Sequence, residues 1–266
     1  MGKKLIGSLE LNRIYQMDCL EGMKLIPDKS IDMVLCDLPY GITSQNRWDE
    51  IIPFDPLWNQ YRRIIKDNGA IVLTAVKPFS AMLITSNPKM FRYDIIWRKN
   101  KSTGFLNAKK MPLRSHEEIL VFYKKLPVYN PQKSFGHKPA NKYTKHTGDG
   151  SNYGKTKLGI SGGGQTDRYP TSVWDVKVIN NDDKNKHHPT QKPVELFSKL
   201  IKTYTNPGEL ILDNCMGSGT TAVAALKTKR NFIGFETESQ YIEIANQRIE
   251  STYNELEDEK LLNKTE

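Results

Sequence analysis

The sequence contains little cysteine and no long hydrophobic run. Its three cysteines, Cys19, Cys36 and Cys215, are odd in number and share no Cys-x-x-Cys spacing, which argues against a disulfide framework and against a zinc site. No N-terminal segment is typical of a signal peptide, and no apolar stretch reaches the roughly 18 residues of a membrane-spanning helix. We therefore expect a protein of the reducing cytoplasm, with no metal ion and no membrane partner.

Charge is unevenly distributed along the 266 residues, which together carry a net charge of +9. Residues 98–148 contain twelve lysines and arginines against two acids, a net charge of +10, whereas residues 235–266 carry a net charge of −6. A basic middle beside an acidic tail indicates that one face meets a polyanion. A solvated lysine-rich loop accounts for the same charge equally well.

Short apolar runs alternate with amphipathic segments through most of the chain. The predicted strands are 31–36, 70–75, 93–98, 118–123, 209–212 and 231–235. The predicted helices are 56–66, 78–87, 193–204, 217–229 and 239–255. We expect Asn68-Gly69 to stop the first of these helices. The alternation predicts an α/β fold in which a parallel sheet carries helices on both faces.

Residues 124–188 depart from this pattern. They are rich in Gly, Asn, Lys, Tyr and Pro and include the run Gly162–Gly164. An irregular stretch of this length in a compact protein is usually functional or disordered. We therefore divide the chain into one half of the α/β domain at 1–123, an inserted region at 124–188, and the other half of the same domain at 189–266.

A glycine-rich turn, Asp213–Thr221, follows the predicted strand 209–212. Gly217 and Gly219 allow the backbone to approach a ligand closely. The next predicted strand ends at Glu236, in the position where α/β nucleoside-binding folds hold ribose hydroxyls. A glycine-capped turn with no ligand is the plainer alternative, but the acid at the next strand end favours an adenosine-type ligand.

A second candidate turn, Asp37-Leu38-Pro39-Tyr40, follows the predicted strand 31–36. It brings together a carboxylate, a backbone carbonyl and an aromatic ring. The ring can stack on a planar group while the two oxygens accept the hydrogens of its amine. For these four residues alone, an ordinary turn with a packed tyrosine is the favoured explanation. Because ligands of parallel sheets bind beyond the carboxyl ends of the strands, we expect both turns on that edge.

Together, the two turns resemble motifs of the DNA methyltransferases that methylate exocyclic amino groups. Asp37-Leu38-Pro39-Tyr40 resembles their Asp-Pro-Pro-Tyr catalytic motif, and Asp213–Thr221 resembles their Asp-Pro-Phe-x-Gly-Ser-Gly-Thr-Thr cofactor motif. The catalytic motif comes first, as in the circularly permuted β group of that family. The resemblance implies a Rossmann-like, S-adenosylmethionine-dependent methyltransferase sheet with an irregular inserted recognition region.

The resemblance extends to several further segments. Asp18-Cys19 resembles the acid that contacts the cofactor's adenine, and 188–195 resembles the segment preceding the glycine motif. Segments 97–99, 116–118 and 234–248 also resemble family positions. The cofactor-binding residues that the resemblance implies are Asp18, Cys19, Lys192, Asp213, Gly217, Ser218, Gly219, Thr220, Thr221 and Glu236.

Two departures from the family pattern affect the motifs themselves. Leu38 replaces the first proline, which we expect to be tolerated because the backbone carbonyl of this residue is the proposed acceptor. Asn214-Cys215-Met216 replaces Pro-Phe-x. None of the cysteines follows a proline, so the Pro-Cys nucleophile of ring-carbon methyltransferases is absent.

The implied activity is direct, in-line transfer of a methyl group from S-adenosylmethionine to the 6-amino group of adenine in double-stranded DNA, after base flipping. The catalytic residues would be Asp37, Leu38, Pro39 and Tyr40. The basic segment 98–148 would hold phosphates, and the irregular region would read the sequence. The candidate DNA-binding residues are Lys99, Lys109, Lys110, Arg114, Lys138 and Lys142.

Alternatives remain open at this point. The same fold can act on the 4-amino group of cytosine, and a degenerate fold can bind DNA without catalysis. An RNA or protein methyltransferase is a third alternative, because fold does not fix the substrate. A cognate restriction endonuclease and a homodimer are partners that the sequence leaves undecided.

Overall fold

The computed structural model describes residues 4–42, 49–144, 159–179 and 191–262. The strands are β1 Leu5–Ile6, β2 Leu9–Glu10, β3 Arg13–Gln16, β4 Ile31–Asp37, β5 Ile65–Ala75, β6 Phe91–Thr103, β7 Arg114–Phe122, β8 Tyr143–Thr144, β9 Ser161–Gly162, β10 Val173–Asp175, β11 Leu210–Asp213 and β12 Asn231–Glu236. The helices are α1 Cys19–Lys24, α2 Phe54–Ile64, α3 Phe79–Ser86, α4 Val194–Tyr204, α5 Thr220–Lys227 and α6 Ser239–Leu262. None of these helices has the length and apolar character that crossing a membrane requires.

An eight-stranded sheet in the order β10-β6-β7-β5-β4-β11-β12-β3 forms the centre of the fold. Its inner strands are almost entirely buried because they are apolar on both faces. One core cluster contains side chains of α1, α2 and α3, and a second contains side chains of α4, α5 and α6. Successive residues of β4 alternate between the two clusters. The predicted Rossmann-like sheet with helices on both faces is therefore confirmed.

The sequence pattern predicted a parallel sheet, but two pairs of neighbouring strands are antiparallel. β7 pairs antiparallel with both β5 and β6, whereas the other pairs of this sheet are parallel. Only the ten or so residues at 104–113 connect β6 to β7, and a connection of this length permits a hairpin but is short for a parallel crossover. The apolar runs located these two strands correctly but carried no information on their direction.

The predicted stop at Asn68-Gly69 was wrong. Helix α2 ends at Ile64 and the chain enters β5 at once. The β4–β5 register moves from Ile31↔Ile65 to Met33↔Ala70, so the intervening residues of β5 form an irregularity inside the strand. A Cβ at position 69 would lie 2.8 Å from the carbonyl oxygen of Asp32. Glycine is therefore needed here for close approach of two strands.

A compact unit lies within the predicted insertion at 124–188. Contacts separate a compact unit at Pro131–Thr171 from a larger unit that contains the rest of the chain. Within the smaller unit, β8 pairs with β9, and Lys133 lies 2.8 Å from Asp167 in an ion pair. The flanks of the predicted insertion belong to the larger unit, where β10 adds an edge strand and Trp174 is buried. Residues 145–158 and 180–188 of the predicted insertion lie outside the described residues.

Candidate active site

Both candidate turns lie at the same edge of the sheet, as the sequence predicted. β4 and β11 are neighbouring parallel strands, paired through Val34 and Leu212, so Asp37 and Asp213 follow at adjacent strand ends. A cavity of about 880 Å³ opens beside them. It is lined by these predicted residues: Asp18, Cys19, Asp37, Leu38, Pro39, Tyr40, Lys99, Arg114, Lys192, Asp213, Gly217, Ser218, Thr220, Thr221 and Glu236. The catalytic and cofactor motifs therefore share one cavity.

The carboxylate of Asp37 is partly exposed and is held by side chains from three different elements. The Tyr40 hydroxyl donates to Oδ1 at 2.6 Å, and the Thr74 hydroxyl donates to the same oxygen. Lys192 Nζ donates to Oδ2 at 2.7 Å. Since a carboxylate oxygen accepts about two hydrogen bonds, Oδ2 retains capacity for one more donor from the cavity.

Tyr40 is fixed from both its backbone and its ring. Its N–H donates to Asp49 Oδ1 at 2.8 Å, and Asp49 also accepts from the next two backbone N–H groups. The ring packs against Phe79 with centroids 5.2 Å apart. Burial and the nearby Asp37 charge raise the pKa of Tyr40 well above its ordinary value, so the phenol stays protonated. Asp49 and Thr74 were not predicted, although the polar Thr74 at the end of an apolar strand was a usable signal.

Lys192 lies beside the catalytic turn and not only beside the cofactor motif with which the sequence grouped it. Its side chain is 7% exposed, and Nζ lies 3.4 Å from Glu117 Oε2 and 5.5 Å from the centre of the Tyr40 ring. Burial alone lowers the pKa of Lys192, but the carboxylates of Asp37 and Glu117 outweigh it, and the pKa is raised. The ammonium therefore remains charged. Residues 188–190 of the resembling segment lie outside the described residues.

Lys99, predicted as a DNA-binding residue, lies on the cavity wall and not on the outer surface. Its side chain is 8% exposed and forms an ion pair with Glu117. Lys99 Nζ lies 5.0 Å from the centre of the Trp97 ring. Alternation along β6 turns Lys99 inward and its neighbour Arg98 outward, where Arg98 pairs with Asp175. Lys99, Glu117, Lys192 and Asp37 thus form a continuous charge network on the cavity wall.

The glycine turn between β11 and α5 has the backbone conformation that glycine permits. Gly217 and Gly219 have φ values of +51° and +83°. A Cβ at Gly219 would lie 2.8 Å from the Ala245 side chain, whereas a Cβ at Gly217 would meet no atom within 4 Å. Arg248 Nη1 donates to the Ser218 carbonyl and lies 3.2 Å from its hydroxyl. Gly219 therefore packs against α6, and Gly217 faces open space.

Asp213 is a part of this turn and not an exposed ligand. It is 3% exposed, its Oδ1 accepts from the Cys215 N–H at 3.0 Å, and its Oδ2 accepts from the Thr221 hydroxyl. Burial raises the pKa of Asp213 to about 6, against the hydrogen bond from Thr221, which lowers it. Both oxygens are directed into the turn itself, so the carboxylate stabilises the conformation of the backbone that lines the cavity.

Glu236 and Asp18 line the cavity while holding backbone groups. Glu236 Oε2 accepts from the Gly217 N–H at 2.7 Å, and its Oε1 accepts from the next two backbone N–H groups. Asp18 caps α1 by accepting from the Leu20 N–H at 2.8 Å. Oε2 of Glu236 has capacity for another donor. Cys19 is buried, and the pKa of its thiol is raised by a hydrogen bond with Cys215 and by burial.

The other predicted DNA-binding residues are exposed. Lys109 and Lys110 lie on the β6–β7 connection, Arg114 begins β7 at the cavity rim, and Lys138 and Lys142 lie in the smaller unit. Within the described ranges, no group of three or more histidine, cysteine or acidic side chains is arranged to hold a metal ion.

Comparison with known proteins gives consistent matches. Residues 31–247 match the family model described as DNA methylase. The chain is 29% identical over 263 residues to the type II methyltransferase M1.MboII of Moraxella bovis, covering 90% of this chain and 96% of that protein. It is 27% identical to the DNA adenine methyltransferase YhdJ of Escherichia coli (strain K12), covering 91% and 83%. A solved M1.HpyAVI–SAM complex superposes with a TM-score of 0.59 at 23% identity, covering 89% of this chain and 98% of that one.

Proposed function

The chain belongs to the DNA methylase family, and we propose on that premise that it transfers a methyl group from S-adenosylmethionine to the 6-amino group of adenine in DNA. One observation carries the proposal. The carboxylate of Asp37, partly exposed and with acceptor capacity left on Oδ2, opens into the same cavity as the glycine turn.

Asp37 and Leu38 supply the two acceptors that the reaction needs. The amino nitrogen of adenine is a poor nucleophile because its lone pair is delocalised into the ring. Hydrogen bonds from its two hydrogens to Asp37 Oδ2 and to the Leu38 carbonyl would favour a pyramidal nitrogen with an available lone pair. Positioning and electrostatics therefore supply the rate enhancement, without a covalent enzyme intermediate.

Tyr40 and Lys192 position the carboxylate of Asp37 as a hydrogen-bond acceptor. The ring of Tyr40 provides a face on which a planar base stacks, and its hydroxyl fixes Asp37 Oδ1. Lys192 keeps a positive charge next to Oδ2 and fixes the position of that oxygen with a hydrogen bond of 2.7 Å. Glu117 and Lys99 continue the network and hold Lys192 on the cavity wall.

The cavity residues fit S-adenosylmethionine. A volume of about 880 Å³ is within the range of ligand pockets, and the open space beside Gly217 leaves the backbone accessible to a ligand. Glu236 would hold the ribose hydroxyls through its remaining acceptor capacity, and Asp18 would contact the adenine. When bound, the cofactor supplies an electrophilic methyl group on a sulfonium. Ser218 and Thr220, held by Arg248, complete the wall.

DNA binding and partners form a further part of the proposal. A paired base cannot reach the cavity, so the target adenine must be flipped out of the duplex. Residues 124–188 would carry target recognition, while the exposed lysines and Arg114 hold phosphates. The type II naming of M1.MboII favours a cognate restriction endonuclease as partner. The DNA substrate and the three free thiols favour the cytoplasm as the site of action. A homodimer stays a prediction.

The decisive experiment identifies the modified base. Unmethylated genomic DNA is incubated with the protein and S-adenosylmethionine, digested to nucleosides and analysed by mass spectrometry, with Asp37→Ala as the control. We expect N6-methyladenine with the wild type only. N4-methylcytosine would establish the cytosine alternative, which uses the same two acceptors. Binding of cofactor and DNA without any methylated nucleoside would establish the non-catalytic alternative. Sequencing that reports modified positions then gives the recognition site.

A further inference from the structure

The connection between β6 and β7, residues 104–113, forms an ordered projection that we call the β6–β7 tip. Gly104 has a φ of +92°, and Phe105–Asn107 form a short 3-10 helix. Backbone N–H groups of Asn107, Ala108, Lys110 and Met111 all donate to carbonyls within the tip, at 2.8–3.1 Å. Because the tip satisfies its own backbone groups, its conformation is set before any partner arrives.

Three apolar side chains of the β6–β7 tip are exposed to solvent. Leu106 is fully exposed, Phe105 is 78% exposed and Met111 is 58% exposed. Isolated exposed apolar residues are common on protein surfaces, but a cluster at one projection marks an interaction site. The hydrogen-bonded backbone prevents these side chains from folding back into a core.

The surroundings of the tip indicate what it meets. Lys101, Lys109, Lys110 and Arg114 flank the apolar residues, and no acid occurs between Lys101 and Arg114. Thr103 and Arg114, which bound the tip, also line the cavity that contains Asp37. The projection therefore stands at the mouth of the cavity, and positive charges flank its apolar residues along the chain. That combination fits a polyanion with an apolar interior, which describes a DNA duplex.

We propose that the β6–β7 tip is a wedge that inserts Phe105 and Leu106 into the base stack next to the target, occupying the space that the flipped base leaves. This inference rests on the proposed function, since only a flipped base creates such a space. Extrusion costs stacking and pairing energy, and apolar side chains that replace the lost stacking contacts offset part of it. The flanking lysines would hold the phosphates on either side.

The test compares a paired target with a mispaired one. Once the recognition site is known, single-turnover methylation is measured on a duplex with the target adenine correctly paired and on one with it mispaired. A Phe105→Ala/Leu106→Ala variant should lose roughly 10- to 100-fold in rate on the paired duplex, because it no longer fills the opened stack. On the mispaired duplex, where unpairing costs little, its rate should stay close to that of the wild type.

Two controls distinguish a wedge from a general apolar or electrostatic contribution to DNA binding. Leu262→Ala removes another exposed apolar side chain, which is 68% exposed and lies at the far end of α6. This end is about 36 Å along the helix from its start near Glu236, so the substitution should alter neither rate. Lys109→Ala/Lys110→Ala should slow both duplexes alike, because phosphate contacts do not depend on pairing. Fluorescence of 2-aminopurine at the target position should rise less with the Phe105→Ala/Leu106→Ala variant than with the wild type.

Each failure has a distinct meaning. Equal rates for Phe105→Ala/Leu106→Ala and the wild type on the paired duplex would overturn the wedge, as would an equal loss on both duplexes. A loss that accompanies a change from dimer to monomer in sedimentation would also overturn it, because the tip would then bind a second copy of the chain. Inactivity of the wild type on both duplexes would instead refute the proposed function.

Discussion

Two aspartates end neighbouring strands of the sheet, but their surroundings differ. Asp37, after β4, is 27% exposed and is held by side chains of Tyr40, Thr74 and Lys192. Asp213, after β11, is 3% exposed and is held by groups of its own turn. The first carboxylate can exchange or add a partner from the cavity, whereas the second has one oxygen bonded to a backbone N–H and the other to the Thr221 hydroxyl.

The difference shows that the same residue type at equivalent strand ends serves two purposes. On the β11 side, the charge of Asp213 shapes a glycine turn whose backbone lines the cavity, and we expect Gly217 and Glu236 to make the ligand contacts. On the β4 side, we expect the carboxylate itself to face the ligand. Substitutions on the two sides should therefore affect different measurements.

The largest expected effect comes from Asp37. Asp37→Ala should reduce turnover by a factor on the order of 10³, because it removes a preorganised acceptor at the reacting nitrogen. DNA binding should change little, and thermal stability should fall less than in a Lys192→Met variant, since Lys192 keeps Glu117 as a counter-charge. Radiolabelled methyl transfer and calorimetry check the two halves of this prediction. An Asp37→Ala protein that no longer folds would show that Asp37, like Asp213, has a structural role. The proposed difference between the two aspartates would then be wrong.

A substitution of Lys192 tests whether the side chains that hold Asp37 at the end of β4 contribute to the stability of the fold. Lys192→Met should lower the free energy of unfolding by roughly 2–4 kcal/mol, because it leaves Asp37 without a counter-charge and leaves Glu117 with Lys99 alone. Urea denaturation measures this change. Adding Asp37→Asn, which neutralises the carboxylate left unpaired, should recover part of the stability but not the turnover. A free energy of unfolding equal to that of the wild type in Lys192→Met would show that the charge network does not stabilise the fold.

Glu236 tests whether ligand contact on the β11 side comes from this residue and not from Asp213. Glu236→Ala should weaken cofactor binding by about 1.5–3 kcal/mol, because a charged hydrogen-bond partner is removed. Titration calorimetry with S-adenosylmethionine is the measurement. Glu236→Gln, which keeps one acceptor oxygen, is the matched control and should lose less. Unchanged affinity in Glu236→Ala would refute the assignment of Glu236 to the ribose.

Asp213 should instead affect the pH dependence of stability. Its folded-state pKa of about 6 exceeds its ordinary value of 3.8, so folding favours the protonated form. The contribution of this group is therefore fully present below about pH 4 and is lost as pH rises through 6. Asp213→Asn, which keeps the shape, should remove that loss and gain up to about 3 kcal/mol relative to the wild type between pH 4 and pH 7. Parallel pH profiles for the two proteins would contradict this.

The smallest effect concerns residues outside both turns. Each phosphate contact adds roughly 0.9 to the slope of log affinity against log salt. Neutralising Lys109, Lys110, Lys138 and Lys142 should flatten that slope without moving the methylated site. Exchanging residues 124–188 for those of a related enzyme should move the site instead. A deletion across 148–164 that preserved both site and rate would show that this stretch is dispensable.

Local pattern was sufficient for much of the fold. The apolar runs located β4, β5, β11 and β12, because strands buried on both faces need continuous hydrophobic sequence. Strand β3, with the sequence Arg-Ile-Tyr-Gln, was missed because an edge strand needs no such run, and β10 was missed because it has three residues. The direction of β7 was also beyond local pattern.

The site could be predicted only in part, because local sequence patterns identify contiguous motifs but not contacts between distant residues. The motifs located Asp37 and the glycine turn, since their residues are contiguous. The ion pair between Lys192 and Asp37 joins positions 155 apart, and the pair of Lys99 with Glu117 depends on the hairpin register. Such contacts exist only after the sheet has formed. Lys99 therefore looked like one more exposed base within a basic segment.

The strand order has a consequence for synthesis of the protein on the ribosome. β3, made early, pairs with β12, made late, and β10 completes the edge beside β6. The backbone N–H of Phe232 donates to Asn12 across 220 positions of the chain. A nascent chain that has emerged only through β7 therefore exposes unpaired edges at β4 and β6, which invite aggregation. Folded yield should depend on chaperone protection until the last strand leaves the exit tunnel.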